Sequence, residues 1–338
     1  MSAHDGSLAH LFRRAAAPLE AAIAAERLPG GVLGIADRAR GRLVRAYGVA
    51  QRIPSARPMR EDTWFDLASL TKVVFTTPRI LALAERKVID LDAPLVSVLP
   101  DLRQYDEGTW ERRVTFRQCL GHLTPFPAVE PIYTYGRDPD LLRAFVLQRE
   151  WRPGPPVYSD INFIMLGLVL ERLAGCTIRA MDPGEGFAFF ADPQSAAATE
   201  DCTWRRRVLC GEVHDDNCSA LQGAGHAGLF GTADSLLDFA EALLARGAAG
   251  DSSVALMRTP LSATRTHGWE RAHAGWSGGD GCSPGTIGHT GFTGTGLWID
   301  FDRGRAWTLL TNRIHPTRHS DSGIVALRRA VGDAVNEI

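Results

Sequence analysis

Strand-like segments lie near the two ends of this chain, and mostly helical patterns fill the sequence between them. Two strand patterns come early, at 30–38 and 42–50, and three come late, at 286–291, 294–301 and 305–313. The early pair is joined by a short turn, as are the last two, which is typical of antiparallel hairpins. The distribution predicts an α+β fold, in which one antiparallel sheet is split by a long, mostly helical insertion.

Helical patterns also flank the predicted sheet. They cover residues 7–26, 70–85, 162–175, 232–247 and 322–336. The first and last would be terminal helices packed on the sheet, whereas 162–175 is apolar on nearly all sides, as a buried helix would be.

We expect two subdomains with an active-site cleft between them. Residues 1–75 and 266–338 would form the sheet subdomain, and 76–265 the helical one. Segment 180–200 has no clear period and is predicted to be irregular.

Composition excludes several classes of partner. The formal net charge is −2, which favours neither nucleic acid nor an anionic membrane surface. The apolar stretch at 161–170 is far shorter than the ~20 residues of a membrane span. The N-terminal segment lacks the apolar core of a secretory signal, so we expect a cytoplasmic protein with a small-molecule or short-peptide substrate. The sequence sets no oligomeric state.

The six cysteines pose a choice between disulfides, a metal site and free thiols. Without a secretory signal, free thiols are the expectation. Cys202, Cys210 and Cys218 lie near His214, but eight-residue steps match no familiar zinc site. Neither a metal nor another cofactor is predicted.

Ser69 and Lys72 are the strongest chemical signal in the chain. Of its 37 lysines and arginines, only Lys72 and Lys87 are lysines. On a helix, Ser69 and Lys72 would share one face, with the serine at the N-terminal end, where backbone N–H groups favour developing negative charge. A lysine can give up its proton to activate a serine, which an arginine cannot. Taken alone, the spacing could be coincidence.

Two further stretches are ambiguous when each is considered alone. Tyr158 precedes the buried helix and could relay a proton beside a lysine, but a tyrosine at a helix entry is more often a packing residue. The glycine-rich strand at 288–300 could admit a substrate backbone, or could mark a bulge.

In this order, Ser-x-x-Lys, Tyr-x-Asp and His-Thr-Gly resemble the three signature elements of the serine β-lactamase and penicillin-binding-protein superfamily. The nearest likeness is to the class C β-lactamase branch, with its related esterases and D-amino-acid peptidases. Segments 211–244 and 288–316 extend the likeness, which covers most of residues 30–335.

The resemblance implies a role for each matching residue. Ser69 would be the acylated nucleophile, Lys72 its proton partner and Tyr158 the relay. The backbone N–H groups of Ser69 and Phe292 would hold the oxyanion.

Thr290 would orient the substrate along the strand edge. The residues expected to bind it are Asp160, His289, Thr290, Gly291 and Phe292.

The sequence departs from the superfamily pattern at two of its signature positions. His289 replaces the usual lysine and would be only partly charged at neutral pH, which favours ester or peptide substrates over β-lactams. Asp160 replaces the usual asparagine, and we expect it either to pair with Lys72, raising the pKa of the lysine, or to recognise a substrate amino group.

Other differences fall outside the signature motifs. The cleft rim at 119–128 lacks the usual His-Thr-Ser-Gly. His122, His214 and His226 are expected to be structural.

The sequence therefore predicts a serine hydrolase that acts through an acyl-enzyme on a small ester, amide or peptide. The alternative is a catalytically weak or inactive ligand-binding sensor protein of the same fold, suggested by the altered signature positions.

Overall fold

The computed structural model describes residues 7–336; the outermost parts of the predicted sheet subdomain, 1–6 and 337–338, lie outside this range. The helices are α1 Leu8–Ala24, α2 Thr77–Glu85, α3 Phe116–Leu120, α4 Pro139–Gln148, α5 Asp160–Ala174, α6 Asp216–Ala220, α7 Ala233–Ala248, α8 Ser252–Arg258 and α9 Ile324–Asn336. The strands are β1 Gly30–Asp37, β2 Gly41–Gln51, β3 Arg57–Pro58, β4 Phe65–Asp66, β5 Phe187–Ala188, β6 Ala198–Cys202, β7 Arg207–Cys210, β8 Phe230–Gly231, β9 Glu270–Arg271, β10 Ile287–Thr290, β11 Thr295–Asp300 and β12 Arg305–Thr311.

A seven-stranded antiparallel sheet organises the fold, in the order β3-β2-β1-β12-β11-β10-β9. The first and last parts of the chain meet at its centre, where β1 pairs with β12 and Gly31 is opposite Thr311. A buried ion pair reinforces this junction, because Arg305 Nη2 lies 2.8 Å from Asp37 Oδ2. The α+β prediction, with the sheet split by a long insertion, is confirmed.

The two faces of the sheet bury alternate residues of each strand, as the period of a strand requires. Leu33 and Ile35 of β1 join the core under α1 and α9, where Trp298 and Trp307 stack with ring centroids 5.7 Å apart. Val32 and the other alternate positions join the larger core, which includes apolar residues of α7. The terminal helices therefore pack against one face and α7 against the other.

The short strands were not all predicted. β6 and β7 form a hairpin across the end of the segment expected to be irregular. The two-residue edge strands β3 and β9 are also new, because two residues carry too little periodicity to register in a sequence pattern.

Three pieces of this fold bring the signature motifs together. Helical backbone begins at Leu70, continues through a π-helical turn at Lys72–Thr76 and becomes α2. The buried helix α5 begins at Asp160, and β10 ends at Thr290 near the edge of the sheet.

No helix within residues 7–336 combines the length and apolar composition that crossing a bilayer requires.

Candidate active site

Ser69 lies at a sharp, strained entry to a helix. The residue before it, Ala68, has φ of 47°, which is costly for a residue with a side chain. Buried Asp66 holds this backbone, since its Oδ1 accepts a 2.9 Å hydrogen bond from the N–H of Ala68. Such strain persists only where neighbouring structure enforces it, and it leaves the Ser69 side chain half-buried at the cleft.

Lys72 is fully buried and its ammonium group contacts three partners. Nζ donates to Ser69 Oγ at 2.9 Å and to the carbonyl oxygen of His226 at 3.0 Å. It also lies 2.8 Å from Asp160 Oδ1, which forms an ion pair with it. Of the two roles expected for Asp160, the structure therefore shows the pairing with Lys72.

The ion pair determines the charge of the lysine. Burial alone would lower the pKa of Lys72, but the nearby Asp160 carboxylate, together with Tyr158, outweighs it and raises that pKa. Lys72 is consequently an ammonium ion at neutral pH. In that form it orients Ser69 Oγ by hydrogen bonding but has no lone pair with which to accept the serine proton.

Tyr158 stands directly before α5, with its ring among charged and neutral groups of the site. Lys72 Nζ lies 5.2 Å from the ring centroid and the Arg265 guanidinium carbon 5.1 Å. The rings of His122 and His289 lie at centroid distances of 4.4 and 5.8 Å. Two cations and two imidazole rings therefore surround the Tyr158 ring at the entry to α5.

His289 is neutral, and the expectation of a partly charged histidine at this position is wrong. The side chain is 3% exposed, and burial, with Arg265 and Lys72 adding to it, holds its pKa well below the ordinary value. Its Nδ1–H donates to the carbonyl oxygen of Thr290 at 3.0 Å. This could not be read from the sequence, because burial and the proximity of Arg265 arise only in the folded chain.

The turn after β10 is hydrogen-bonded to the segment that leads into Ser69. Thr293 Oγ1 donates to the carbonyl oxygen of Asp66 at 2.7 Å, and Thr295 Oγ1 to that of Leu67 at 3.0 Å. The approach is so close that a Cβ on Gly291 would lie 2.5 Å from the Leu67 oxygen. Glycine is therefore required at this point.

Ser69 and Phe292 line the same cleft, one on each side of this junction. Within residues 7–336, the backbone N–H of neither residue donates to a backbone carbonyl. Unpaired backbone donors in the cleft of a serine nucleophile are the groups that can stabilise an oxyanion.

Phe292 is half exposed and is held in place by stacking. Its ring lies 5.7 Å from that of His214 and 4.7 Å from the Arg313 guanidinium carbon. His214 in turn is fixed by Glu200 at 3.0 Å from Nε2. The structural role expected for His214 is thus a support for Phe292.

Three possible metal ligands lie close together beside the lysine. Oxygen atoms of Asp160 and Asp215 and a ring nitrogen of His226 lie within 4.8 Å of one another. These groups already have partners, because Asp160 pairs with Lys72, and His226 Nε2 lies 2.9 Å from Asp215 Oδ1. The Lys72 ammonium would also repel a cation, so we assign the cluster to the electrostatic environment of the lysine.

Two clefts open from Ser69, with Asp160 and Phe292 on the border of both. One, of about 460 Å³, has Asp215, Asp216 and Asn217 among its lining. The other, of about 640 Å³, contains Tyr158, His289, Thr290 and Gly291. Every site residue predicted from the sequence except fully buried Lys72 lines one or both clefts.

Sequence reasoning missed three contributors to the site. His122 packs on Tyr158 and accepts the Ser159 N–H at 3.0 Å through Nδ1, and the carbonyl oxygen of His226 binds Lys72. Arg265 lies in a loop that carries no motif. None of these positions has a sequence signal, because long-range packing alone brings them to the site.

The sequence of this chain is similar to those of known proteins. The family model described as Beta-lactamase matches residues 12–331. The N-acetylmuramyl-L-alanine amidase of Bacillus subtilis (strain 168) is 28% identical, over 85% of this chain and 78% of its own length.

Two solved structures share the fold over almost their full lengths. EstCE1, described as a hydrolase with promiscuous acyltransferase activity, is 21% identical, with a TM-score of 0.74 over 97% of this chain and 98% of its own. A class C beta lactamase from Rhodobacter sphaeroides is also 21% identical, with a TM-score of 0.70 over 96% and 98%.

Proposed function

The chain belongs to the beta-lactamase family and is a serine hydrolase, and on this premise we propose that Ser69 is its nucleophile. The reaction would pass through an acyl-enzyme formed on Ser69 Oγ. One observation carries the proposal: Ser69 Oγ accepts a hydrogen bond from Lys72 at 2.9 Å, in a cleft that Phe292 also lines and in which the N–H groups of Ser69 and Phe292 have no backbone acceptor among the described residues. A nucleophile and an oxyanion site in one cleft are the minimum set for acyl transfer.

In the first step, Ser69 Oγ forms a bond to the substrate carbonyl carbon. The carbonyl oxygen becomes an oxyanion and accepts hydrogen bonds from the N–H groups of Ser69 and Phe292. Because Lys72 is already protonated, we assign the proton transfer to Tyr158 as a relay. Its phenol oxygen accepts the serine proton while its own O–H proton passes to the leaving oxygen or nitrogen, as the bond from that atom to carbon breaks.

In the second step, water attacks the acyl-enzyme by the same route. The phenol oxygen of Tyr158 accepts a proton from the water while its own O–H proton passes to the serine oxygen, as the ester bond to Ser69 breaks. Lys72 remains an ammonium ion throughout, held by Asp160, and stabilises negative charge that passes between Ser69 and Tyr158.

The substrates we propose are small esters, amides or short peptides. The amidase activity named for the Bacillus subtilis relative and the hydrolase and acyltransferase activity named for EstCE1 support acyl chemistry of this kind. A neutral His289 supplies no fixed cation on β10, which argues against efficient β-lactam hydrolysis. We also retain two predictions, a cytoplasmic location and the division into sheet and helical subdomains at residues 75 and 266.

Ser69→Ala tests the proposal directly. Wild type and variant are incubated with p-nitrophenyl butyrate, nitrocefin and a D-alanyl dipeptide, and turnover is measured alongside intact-protein mass. Wild type should turn over at least one substrate or gain an acyl mass, and both signals should vanish in Ser69→Ala.

Ser277→Ala is the matched control. Ser277 lines the same cleft, but its hydroxyl accepts a hydrogen bond from Trp298 Nε1 and does not contact Ser69 or Lys72. Its variant should keep the activity. An acyl mass that persists in Ser69→Ala would exclude Ser69, and rapid acylation of wild type without turnover would favour the sensor alternative.

A further inference from the structure

Asp66 is a buried carboxylate between the two segments that carry the candidate oxyanion donors. It is the last residue of β4, and its side chain is 2% exposed. Within residues 7–336 no lysine or arginine pairs with it, and burial raises the pKa of its carboxyl group. A buried carboxylate without a cation is costly unless its hydrogen bonds offset the cost, so those bonds deserve examination one by one.

One carboxylate oxygen positions the backbone on the Ser69 side. Oδ1 of Asp66 accepts the N–H of Ala68 at 2.9 Å, which fixes the residue whose φ is 47°. The carbonyl oxygen of Ala68 accepts a 2.7 Å hydrogen bond from Thr71 Oγ1. That carbonyl belongs to the same planar peptide group as the Ser69 N–H. The direction of this N–H is therefore set from both sides of Ala68.

The other carboxylate oxygen reaches the support of Phe292. Oδ2 of Asp66 accepts the N–H of His214 at 2.6 Å, and the His214 ring stacks on that of Phe292 at 5.7 Å. His214 is fixed in turn by Glu200, which lies 3.0 Å from its Nε2 and also binds the guanidinium of Arg318. The side chain of Asp66 therefore links the residue before Ser69 to the residue that supports Phe292.

The main chain of Asp66 makes a second link to the same turn. Its carbonyl oxygen accepts Thr293 Oγ1 at 2.7 Å, and Thr293 directly follows Phe292. The Thr293 side chain is 2% exposed, so water does not offer its hydroxyl an equivalent partner. Asp66 thus contacts both sides of the oxyanion site, although neither of its carboxylate oxygens contacts Ser69 or Phe292 directly.

We propose that Asp66 is a positioning residue that holds the backbone N–H groups of Ser69 and Phe292 in one oxyanion site. The inference deepens the proposed function and rests on it. A site of this kind stabilises the transition state only while both donors point to the place where the charge develops. A displacement of one donor by about 1 Å can cost about 100-fold in rate.

The carboxylate is required because each of its oxygens accepts a backbone N–H. An asparagine has only one oxygen acceptor, so in Asp66→Asn the amide NH₂ would face the N–H of either Ala68 or His214. We expect kcat for p-nitrophenyl butyrate, measured per folded molecule, to fall about 10- to 100-fold, while KM stays within about threefold. Phenylboronic acid, whose boron becomes a tetrahedral anion when Ser69 Oγ bonds to it, should bind at least tenfold more weakly.

Asp300→Asn is the matched control. Asp300 is also fully buried, and its Oδ1 accepts the N–H two residues later, that of Asp302, at 3.1 Å. Its Oδ2 accepts a distant N–H, that of Ser283, at 3.0 Å, and Asp300 lines neither cleft. Urea unfolding should show that both variants lose stability, but Asp300→Asn should keep the kcat and the boronate affinity of wild type. Equal losses of both in the two variants would overturn the proposal.

Thr293 supplies a second test that leaves the carboxylate in place. Thr293→Val keeps the shape of the side chain but removes the hydroxyl that binds the Asp66 carbonyl oxygen, so boronate affinity should fall at least threefold. Thr293→Ser keeps the hydroxyl and should bind within twofold of wild type. Wild-type affinity in both Asp66→Asn and Thr293→Val would overturn the proposal.

Backbone amide NMR tests the link without any turnover. Asp66→Asn should shift the amide resonances of both Ser69 and Phe292, and Asp300→Asn should leave both unchanged. A Phe292 resonance that does not move in Asp66→Asn overturns the proposal. Activity that persists in Ser69→Ala would refute the nucleophile instead, and the two amide resonances would still decide whether Asp66 positions both segments.

Discussion

Asp160→Asn should convert Lys72 from an ammonium ion held in place into a buried lysine whose pKa is lowered by burial. The carboxylate oxygen is 2.8 Å from Nζ, and at an effective dielectric constant of about 20 that attraction is worth about 6 kcal/mol before desolvation. The Asp160 side chain is 22% exposed, so solvent screening removes part of this energy. We expect the free energy of unfolding at pH 7 to fall by about 2–3 kcal/mol.

The pH dependence of this loss has a defined sign. The pKa of Lys72 is raised in the folded protein, so the stabilisation is complete below the ordinary value of 10.5 and disappears as the pH rises through the folded value. The difference between wild type and Asp160→Asn should therefore be largest at pH 7 and narrow above pH 10.5. Urea unfolding at a series of pH values measures it.

The pH dependence of kcat/KM should also change in Asp160→Asn. With the carboxylate gone, burial lowers the pKa of Lys72, so kcat/KM should acquire a new limb between neutral and alkaline pH, as neutral Lys72 becomes available as a base. Asp62→Asn is the matched control, because Asp62 pairs with Arg60 at the exposed surface and should cost less than about 0.5 kcal/mol. Unchanged stability together with an unchanged pH profile in Asp160→Asn would refute the reasoning.

Two further predictions concern the strand edge. Gly291→Ala should reduce kcat/KM by at least about 100-fold, because a Cβ would lie 2.1 Å from Thr295 Oγ1 and displace the turn that carries the Phe292 N–H. Gly108→Ala is the control, because its Cβ meets nothing nearer than 3.8 Å. A loss below threefold in Gly291→Ala would contradict the oxyanion assignment. The kcat/KM profile of wild type between about pH 5.5 and 7.5 should contain no limb that His289→Asn removes, since burial keeps His289 neutral there; disappearance of such a limb in the variant would show that His289 titrates.

Sequence patterns predict structure correctly where an element is long or where a motif lies within a few residues. The period of the strands in 294–301 and 305–313 placed β11 and β12 to within two residues, and the spacing of Ser69 and Lys72 placed them on one helical turn. The charge of His289 could not be predicted from the sequence, because it depends on burial and on Arg265. That residue is 24 positions earlier in the chain, and the fold brings it close to His289. Three-dimensional proximity, rather than residue type, decides such properties.

Lysine and arginine have different roles at the two positions where a cation lies close to Tyr158. At position 72 the cation contacts the nucleophile and is held charged by Asp160, so its charge can be tuned by one carboxylate. At position 265 the guanidinium lies over the Tyr158 ring and forms no ion pair with a described residue, so no carboxylate sets its charge. A chain that uses arginine almost everywhere therefore keeps a lysine where a compact ammonium group must contact both the nucleophile and a carboxylate. Lys72→Arg should therefore abolish the contact geometry with Ser69, and acylation of Ser69 by an ester probe, followed by intact-protein mass, should be lost with it.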